Sequence, residues 1–250
     1  MLPGLTKDLF SAHAADYAQF RPKSPPAFIK YISRLVRYRG VVWDCGCGNG
    51  QLTLGLAEHF QLVMGSDISA EQVMHAPGHK GILYSVQPAE QTDFPDEFFD
   101  MVVVAQAIHW FNHEAFYSEA NRVMGPNAVI AAIGYGLMRI SPEVDAVLHH
   151  FYQNITGHYW EPERIYIDEE YQNLPFPFEP IEVLSFEMPC EWTFAQLMGF
   201  LNTWSAVKKY EQENGVNPLS LVADDFEKAW SGEERRKVVF PLFVRAGRKM

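Results

Sequence analysis

The chain is short of cysteine and short of positive charge. Its three cysteines among 250 residues, Cys45, Cys47 and Cys190, cannot build the disulfide framework of a small secreted domain. Cys45 and Cys47 form a C-x-C inside a glycine-rich turn, where small side chains fill the space around tight backbone. Cys190 stands alone, so no four-ligand zinc set emerges and no metal is expected. Lys and Arg together number 20 against 31 Asp and Glu, a formal charge of −11. Such a balance argues against a broad phosphate-tracking surface, and so against nucleic acid as the main partner. The one basic concentration, Arg235 to Lys249, flanks an apolar segment and reads as a solvated rim. No apolar run is long enough to cross a bilayer. Met1–Phe20 carries Lys7, Asp8, His13 and Asp16 and so lacks a secretory apolar region. The expectation is a soluble, cytoplasmic protein that does not enter a membrane. No internal repeat or low-complexity tract is visible.

What the chain does have is apolar mass, 48% of its residues, enough for one large core or a core plus a cap. The informative stretch is V-V-W-D-C-G-C-G-N-G, residues 41–50. An apolar run ends at Asp44, and Gly46, Gly48 and Gly50 follow, which let the backbone turn tightly and approach a ligand. Leu52, Leu54, Leu56 and Ala57 then open a helix whose first amides face that turn. A second apolar strand ends at Asp67, a carboxylate placed to hold two ribose hydroxyls. Strand, glycine turn, helix, strand and acid together describe a nucleoside-binding βαβ unit. A dinucleotide fingerprint needs a third glycine where Gln51 stands, so the NAD pattern fails.

The rest of the chain alternates strand and helix, the signature of a parallel sheet covered on both faces. Strands are expected at Val41–Asp44, Leu62–Ser66, Gly81–Ser85, Phe99–Ala105 and Ala128–Gly134, with Ile181–Met188 and Lys237–Arg245 completing one edge. Helices are expected at Thr6–Tyr17, Pro26–Arg39, Gly50–Phe60, Ser69–His75 and Glu114–Met124, the last stopped by Gly125-Pro126. Pro142–Ile155 and Trp192–Tyr210 read as further helices. Three parts follow: a lid and core over residues 1–136, a cap insertion over 137–180, and the remaining strands with more cap over 181–250.

The motif D-x-G-x-G-x-G resembles that of the class I S-adenosylmethionine-dependent methyltransferases. Within that class the chain resembles the group of trans-aconitate methyltransferase. The resemblance rests on Phe10-Ser11 with Tyr17 through Arg21-Pro22, on Asp44–Gly50, on Ala89-Glu90 ahead of Phe98–Asp100, on Ala105–Trp110, and on Gly199–Val207. It implies a Rossmann-like α/β fold, mostly parallel, with seven strands and an aromatic-rich helical cap. It also implies S-adenosylmethionine as cofactor, with Asp44 and the Gly46–Gly48 backbone at its methionine end. Asp67 would take the ribose, Ile68 the adenine face, and Ala89 and Glu90 the adenine edge. The loop Gln106–Trp110 would lie beside the sulfonium.

His109 is the candidate for touching the acceptor, as a general base, as a hydrogen-bond donor, or merely as a structural histidine beside Trp110. Tyr17, Arg21, Trp110 and Arg139 are candidate substrate contacts. The implied activity is methylation of a small-molecule acceptor, with a carboxylic acid favoured. The alternative is a non-catalytic protein that binds the cofactor as a sensor or partner.

Overall fold

The structure, a computed structural model, describes residues 22–250. The expected helix Thr6–Tyr17 and the candidates Tyr17 and Arg21 lie outside the described residues. Five parallel strands form the core sheet: β1 (Val41–Cys45), β2 (Leu62–Asp67), β3 (Ile82–Val86), β4 (Phe99–Ala105) and β5 (Met124–Tyr135). Three more complete it: β6 (Glu179–Ile181), β7 (Phe186–Trp192) and the long β8 (Arg236–Arg248). The order is β3-β2-β1-β4-β5-β8-β6, with β7 also paired to β8. The sheet is mostly parallel; β8 runs antiparallel to β5, β6 and β7.

Strand alternation divides the core. Val42, Met101, Val103, Val129, Ala131 and Ile133 face one side, where α1 (Pro26–Ile32) and α2 (Gln51–Leu56) contribute to the packing. Trp43, Cys45, Val102, Val104, Ile130 and Ala132 face the other, under α4 (His113–Val123). The fully buried Trp43 stacks on Phe99 with ring centroids 5.8 Å apart, and its indole N–H donates to Ser66 Oγ at 2.8 Å. Between β2 and β3 lies α3 (Ala70–Met74), capped by the Ser69 hydroxyl, which accepts from Gln72 N.

Four expectations on element bounds need correction. The expected helix Pro26–Arg39 stops at Ile32, and turns carry the chain to β1. Gly125-Pro126 does not stop α4; the chain passes from Val123 into β5 at Met124, and both residues lie within the strand. The expected strand Ile181–Met188 is two strands, because β8 is long enough to pair with one at each end; this makes eight strands in place of seven. Trp192–Tyr210 is not one helix. Trp192 closes β7, Thr193 and Gln196 form a capping box at the start of α7 (Phe194–Asn202), and the helix breaks at Thr203-Trp204 before α8 (Ser205–Asn214).

The stretch expected as a cap divides between the two faces. Val144 and Leu148 of α5 (Pro142–His150), with Phe151 just after it, join Leu197 and the residues Phe226 and Trp230 of α9 (Ala223–Trp230) on the α1 side. Ile167 of α6 (Arg164–Asp168), with Tyr171 and Leu174, joins the Trp43 side. Of the aromatic residues in that stretch, Phe151, Tyr171 and Phe178 are buried in the core, with Tyr166 and Phe176 packed against it.

Asp100 ties the entry of β1 to β4: its Oδ2 accepts from Gly40 N and Val41 N, each at 2.9 Å. Asp100→Ala leaves two amides short of an acceptor and is expected to cost about 2 kcal/mol in urea unfolding, with Asp100→Asn, which keeps an oxygen there, costing clearly less.

Candidate active site

A cleft of about 680 Å³ opens at the carboxyl ends of β1, β2, β4 and β5, where ligands bind in open α/β sheets. The glycine turn is its floor. Gly46 N and Cys47 N both donate to the Ser66 carbonyl, at 2.8 and 2.9 Å, which pins the turn to the end of β2. Gly46 and Gly48 take φ of +69° and +53°, and a Cβ on Gly46 would stand 2.7 Å from that of Ala107. A side chain at Gly46 would therefore be excluded by conformation and by space together.

Two carboxylates flank the turn. Asp67 Oδ2 accepts from Gly48 N at 2.8 Å and Oδ1 from Ser69 N at 2.9 Å, so backbone amides orient the group while it lines the cleft. Asp44 is 1% exposed. Its Oδ2 accepts from Thr53 Oγ1 at 2.6 Å, while its buried Oδ1 has no hydrogen-bond partner among the described residues. Burial raises the Asp44 pKa to about 7; the Thr53 bond opposes the rise and the nearby Asp67 charge adds to it. Burial also pushes the thiols of Cys45 and Cys47 up, so neither supplies a thiolate.

The loop after β3 is held from behind. Thr92 gives its amide and hydroxyl to Glu119 Oε1, at 2.8 and 2.5 Å, and Arg122 pairs with the same carboxylate at 2.6 Å. Burial would raise the Glu119 pKa, but the Arg122 and Thr92 bonds outweigh it and hold the carboxyl below its ordinary value.

Asp44, Gly46, Gly48, Asp67, Ile68, Ala89, Gln106 and Trp110 all line the cleft, as the sequence suggests. Gln106 sits at φ +55°, its amide bonded to the Ile133 carbonyl and its side chain to the Tyr135 carbonyl. Three candidates are placed elsewhere. Glu90 is not among the lining residues, and its Oε1 accepts from Asn112 N at 3.0 Å at the start of α4. Arg139 is paired with Glu187 at 2.5 Å beside a separate surface depression. His109 is buried behind the wall, with Nδ1 3.1 Å from the Tyr171 hydroxyl; its neighbours Ala107 and Trp110 face the cleft in its place.

Other lining residues carry no sequence signal: Gln72 of α3, Gln87 after β3, Tyr135, and Met188 and Leu242 from the antiparallel strands. The last two reach the cleft only through the pairing of β7 and β8. His75 and His79, like His109 and His113, stand four residues apart, a spacing that can hold zinc on one helix face. His79 Nδ1 accepts instead from Gly81 N, and His113 Nε2 lies 3.1 Å from the Ile108 carbonyl. Among the described residues no three His, Cys, Asp or Glu side chains converge as metal ligands.

The family described as a methyltransferase domain matches residues 43–132. Across 258 aligned positions the chain is 31% identical to a Dictyostelium discoideum protein provisionally named a methyltransferase, covering 99% of this chain and 98% of that one. The chain belongs to the class I S-adenosylmethionine-dependent methyltransferases.

A provisionally named type II methyltransferase from Anaeromyxobacter dehalogenans has a solved structure that matches this methyltransferase with a TM-score of 0.87. The two are 40% identical, over 92% of this chain and 99% of that one. A Bacillus halodurans protein, 18% identical with a TM-score of 0.53, shares the fold over 90% of this chain and 98% of its own. The matches are to methyltransferases at large and do not single out the trans-aconitate group.

The residues present fit the family's cofactor. An oriented carboxylate on β2 suits ribose hydroxyls, Ile68 and Ala89 offer apolar surface that suits a purine, and Asp44 Oδ1, without a partner among the described residues, suits the methionine end as a buried acceptor. That acceptor has a measurable consequence. The folded chain holds a proton on Asp44 that the unfolded chain releases near pH 3.8, so stability falls as pH rises from 3.8 toward 7 and levels off above it. The span is worth on the order of 4 kcal/mol. Asp44→Asn should flatten this dependence and raise the urea midpoint of the ligand-free protein at pH 8, relative to wild type.

Proposed function

We propose that this methyltransferase moves the methyl group of S-adenosylmethionine to a small-molecule acceptor with an apolar body, and that the favoured acceptor group is a carboxylic acid. The observation that carries this reading is the unequal lining of the cleft. Asp44 and Asp67 belong to the part built on the glycine turn, whereas Ile133, Tyr135, Met188 and Leu242 make an apolar wall on the β5 side. Such a wall suits an apolar acceptor body and excludes water from the reacting centre.

When bound, the cofactor supplies a methyl group on a sulfonium, which is already a good leaving group. The protein's work is then alignment and desolvation. A carboxylate, with an ordinary pKa of about 4, is ionised at neutral pH and needs no base. The burial of His109 outside the described lining is consistent with this. Lys23 is the one Lys or Arg among the described lining residues and is the candidate to steer an anionic acceptor. The three cysteines form no disulfide and agree with a cytoplasmic setting.

Calorimetric titration with S-adenosylmethionine and S-adenosylhomocysteine tests the cofactor half of this reading. Micromolar binding is expected, lost in Asp67→Ala. Affinity for both should weaken as pH falls below about 7, since a protonated Asp44 no longer attracts the ligand ammonium. Release of S-adenosylhomocysteine in the presence of apolar carboxylic acids, but not of their methyl esters, would support the acceptor. Cofactor binding without turnover across acids, phenols and amines would favour a sensor or partner protein.

A further inference from the structure

The loop that follows β4 is held from outside the cleft by a chain of contacts that reaches β8. Tyr171, after α6, is fully buried, although its backbone takes φ +61° directly after Glu170 at +51°. Two successive non-glycine residues in the left-handed region are costly and persist only where the surroundings hold them. Arg245 of β8 supplies that hold. Its Nη1 donates to the carbonyls of Tyr171 at 2.7 Å, of Gln172 at 3.0 Å and of Leu174, and its guanidinium lies 4.9 Å from the Phe176 ring centre. The Tyr171 ring meets Phe243 edge-on at 5.1 Å.

The Tyr171 hydroxyl meets His109 Nδ1 at 3.1 Å. The His109 ring lies 4.8 Å from that of Trp110, which lines the cleft. His109 therefore touches the wall residue while staying outside the wall.

We infer that Arg245, Tyr171 and His109 are positioning residues that set the indole of Trp110 and so the shape of the cleft beside the loop 106–110. Arg245 fixes the left-handed turn, the turn aims the Tyr171 hydroxyl, the hydroxyl fixes the His109 ring, and the ring backs Trp110. This assigns His109 a positioning role. It also joins the segment 164–178 to the cleft wall through the Tyr171–His109 hydrogen bond. Only the ligand-binding consequence rests on the function proposed above.

The test uses the full chain labelled with 5-fluorotryptophan, whose six indoles give separate fluorine resonances; loss of one in Trp110→Phe assigns it. In Tyr171→Phe, which removes one hydroxyl, the Trp110 resonance is expected to move or broaden while the other five stay in place. Arg245→Gln should act the same way, and Arg245→Lys, which keeps a cation, should restore part of the wild-type position. Affinity for S-adenosylhomocysteine should fall about fivefold in Tyr171→Phe, the share of one neutral hydrogen bond. An unmoved Trp110 resonance in Tyr171→Phe would overturn the inference, as would a change spread over all six indoles. Should wild type fail to bind S-adenosylhomocysteine, the proposed function fails, while the ligand-free resonances still decide the positioning.

Discussion

Three backbone amides and two oxygens of β2 hold the centre of this molecule. Gly46 and Cys47 donate to the Ser66 carbonyl, and Gly48 donates to the Asp67 carboxylate. These bonds close the glycine turn over the end of the neighbouring strand and leave Asp67 oriented toward the cleft. They explain why the turn needs left-handed backbone and why its partner acid must stand where β2 ends. The floor of the cleft and the Asp67 carboxylate are one hydrogen-bonded unit, so each is in place only when the other is.

Two acids show how differently a fold can treat the same chemistry. Glu119 is nearly buried but receives Thr92 and Arg122, and its carboxyl stays ionised to lower pH than usual. It thereby holds the loop that carries Ala89. Asp44 is buried with one oxygen bonded to Thr53 and the other without a partner among the described residues, and its pKa rises to about 7. An interior that leaves an acceptor in this state is less stable for it at neutral pH, which is the usual mark of a group kept for a ligand. Asp44 thus lowers stability at neutral pH, whereas Glu119 adds to it.

The antiparallel strands do more than close the sheet. By pairing with β5 on one edge and with β6 and β7 on the other, β8 brings Leu242 and Met188 to the apolar wall. Its Arg245 reaches across to hold the turn at Tyr171. The segment between β5 and β6 packs partly on each face of the sheet, and its second half backs the loop after β4. The apolar wall of the cleft is therefore built from chain far from the glycine turn.

Legible in the sequence alone were the five parallel strands, the glycine turn and the grouping of Asp44, Gly46, Gly48, Asp67 and Ile68 around one cleft. All depend on short-range pattern: apolar runs ending in an acid, glycines at alternate positions, and a strand whose end must face the turn. Element bounds were less legible, because tertiary pairing overrode local signals at Gly125-Pro126, drawn into β5, and at Trp192, drawn into β7. Side-chain direction was decided only in three dimensions. Glu90, Arg139 and His109 are of plausible type at plausible positions, yet they are not among the residues that line the cleft, and Asn112, Glu187 and Tyr171 are among their partners. Those partners lie between 22 and 62 residues away, and no local spacing carries such pairings.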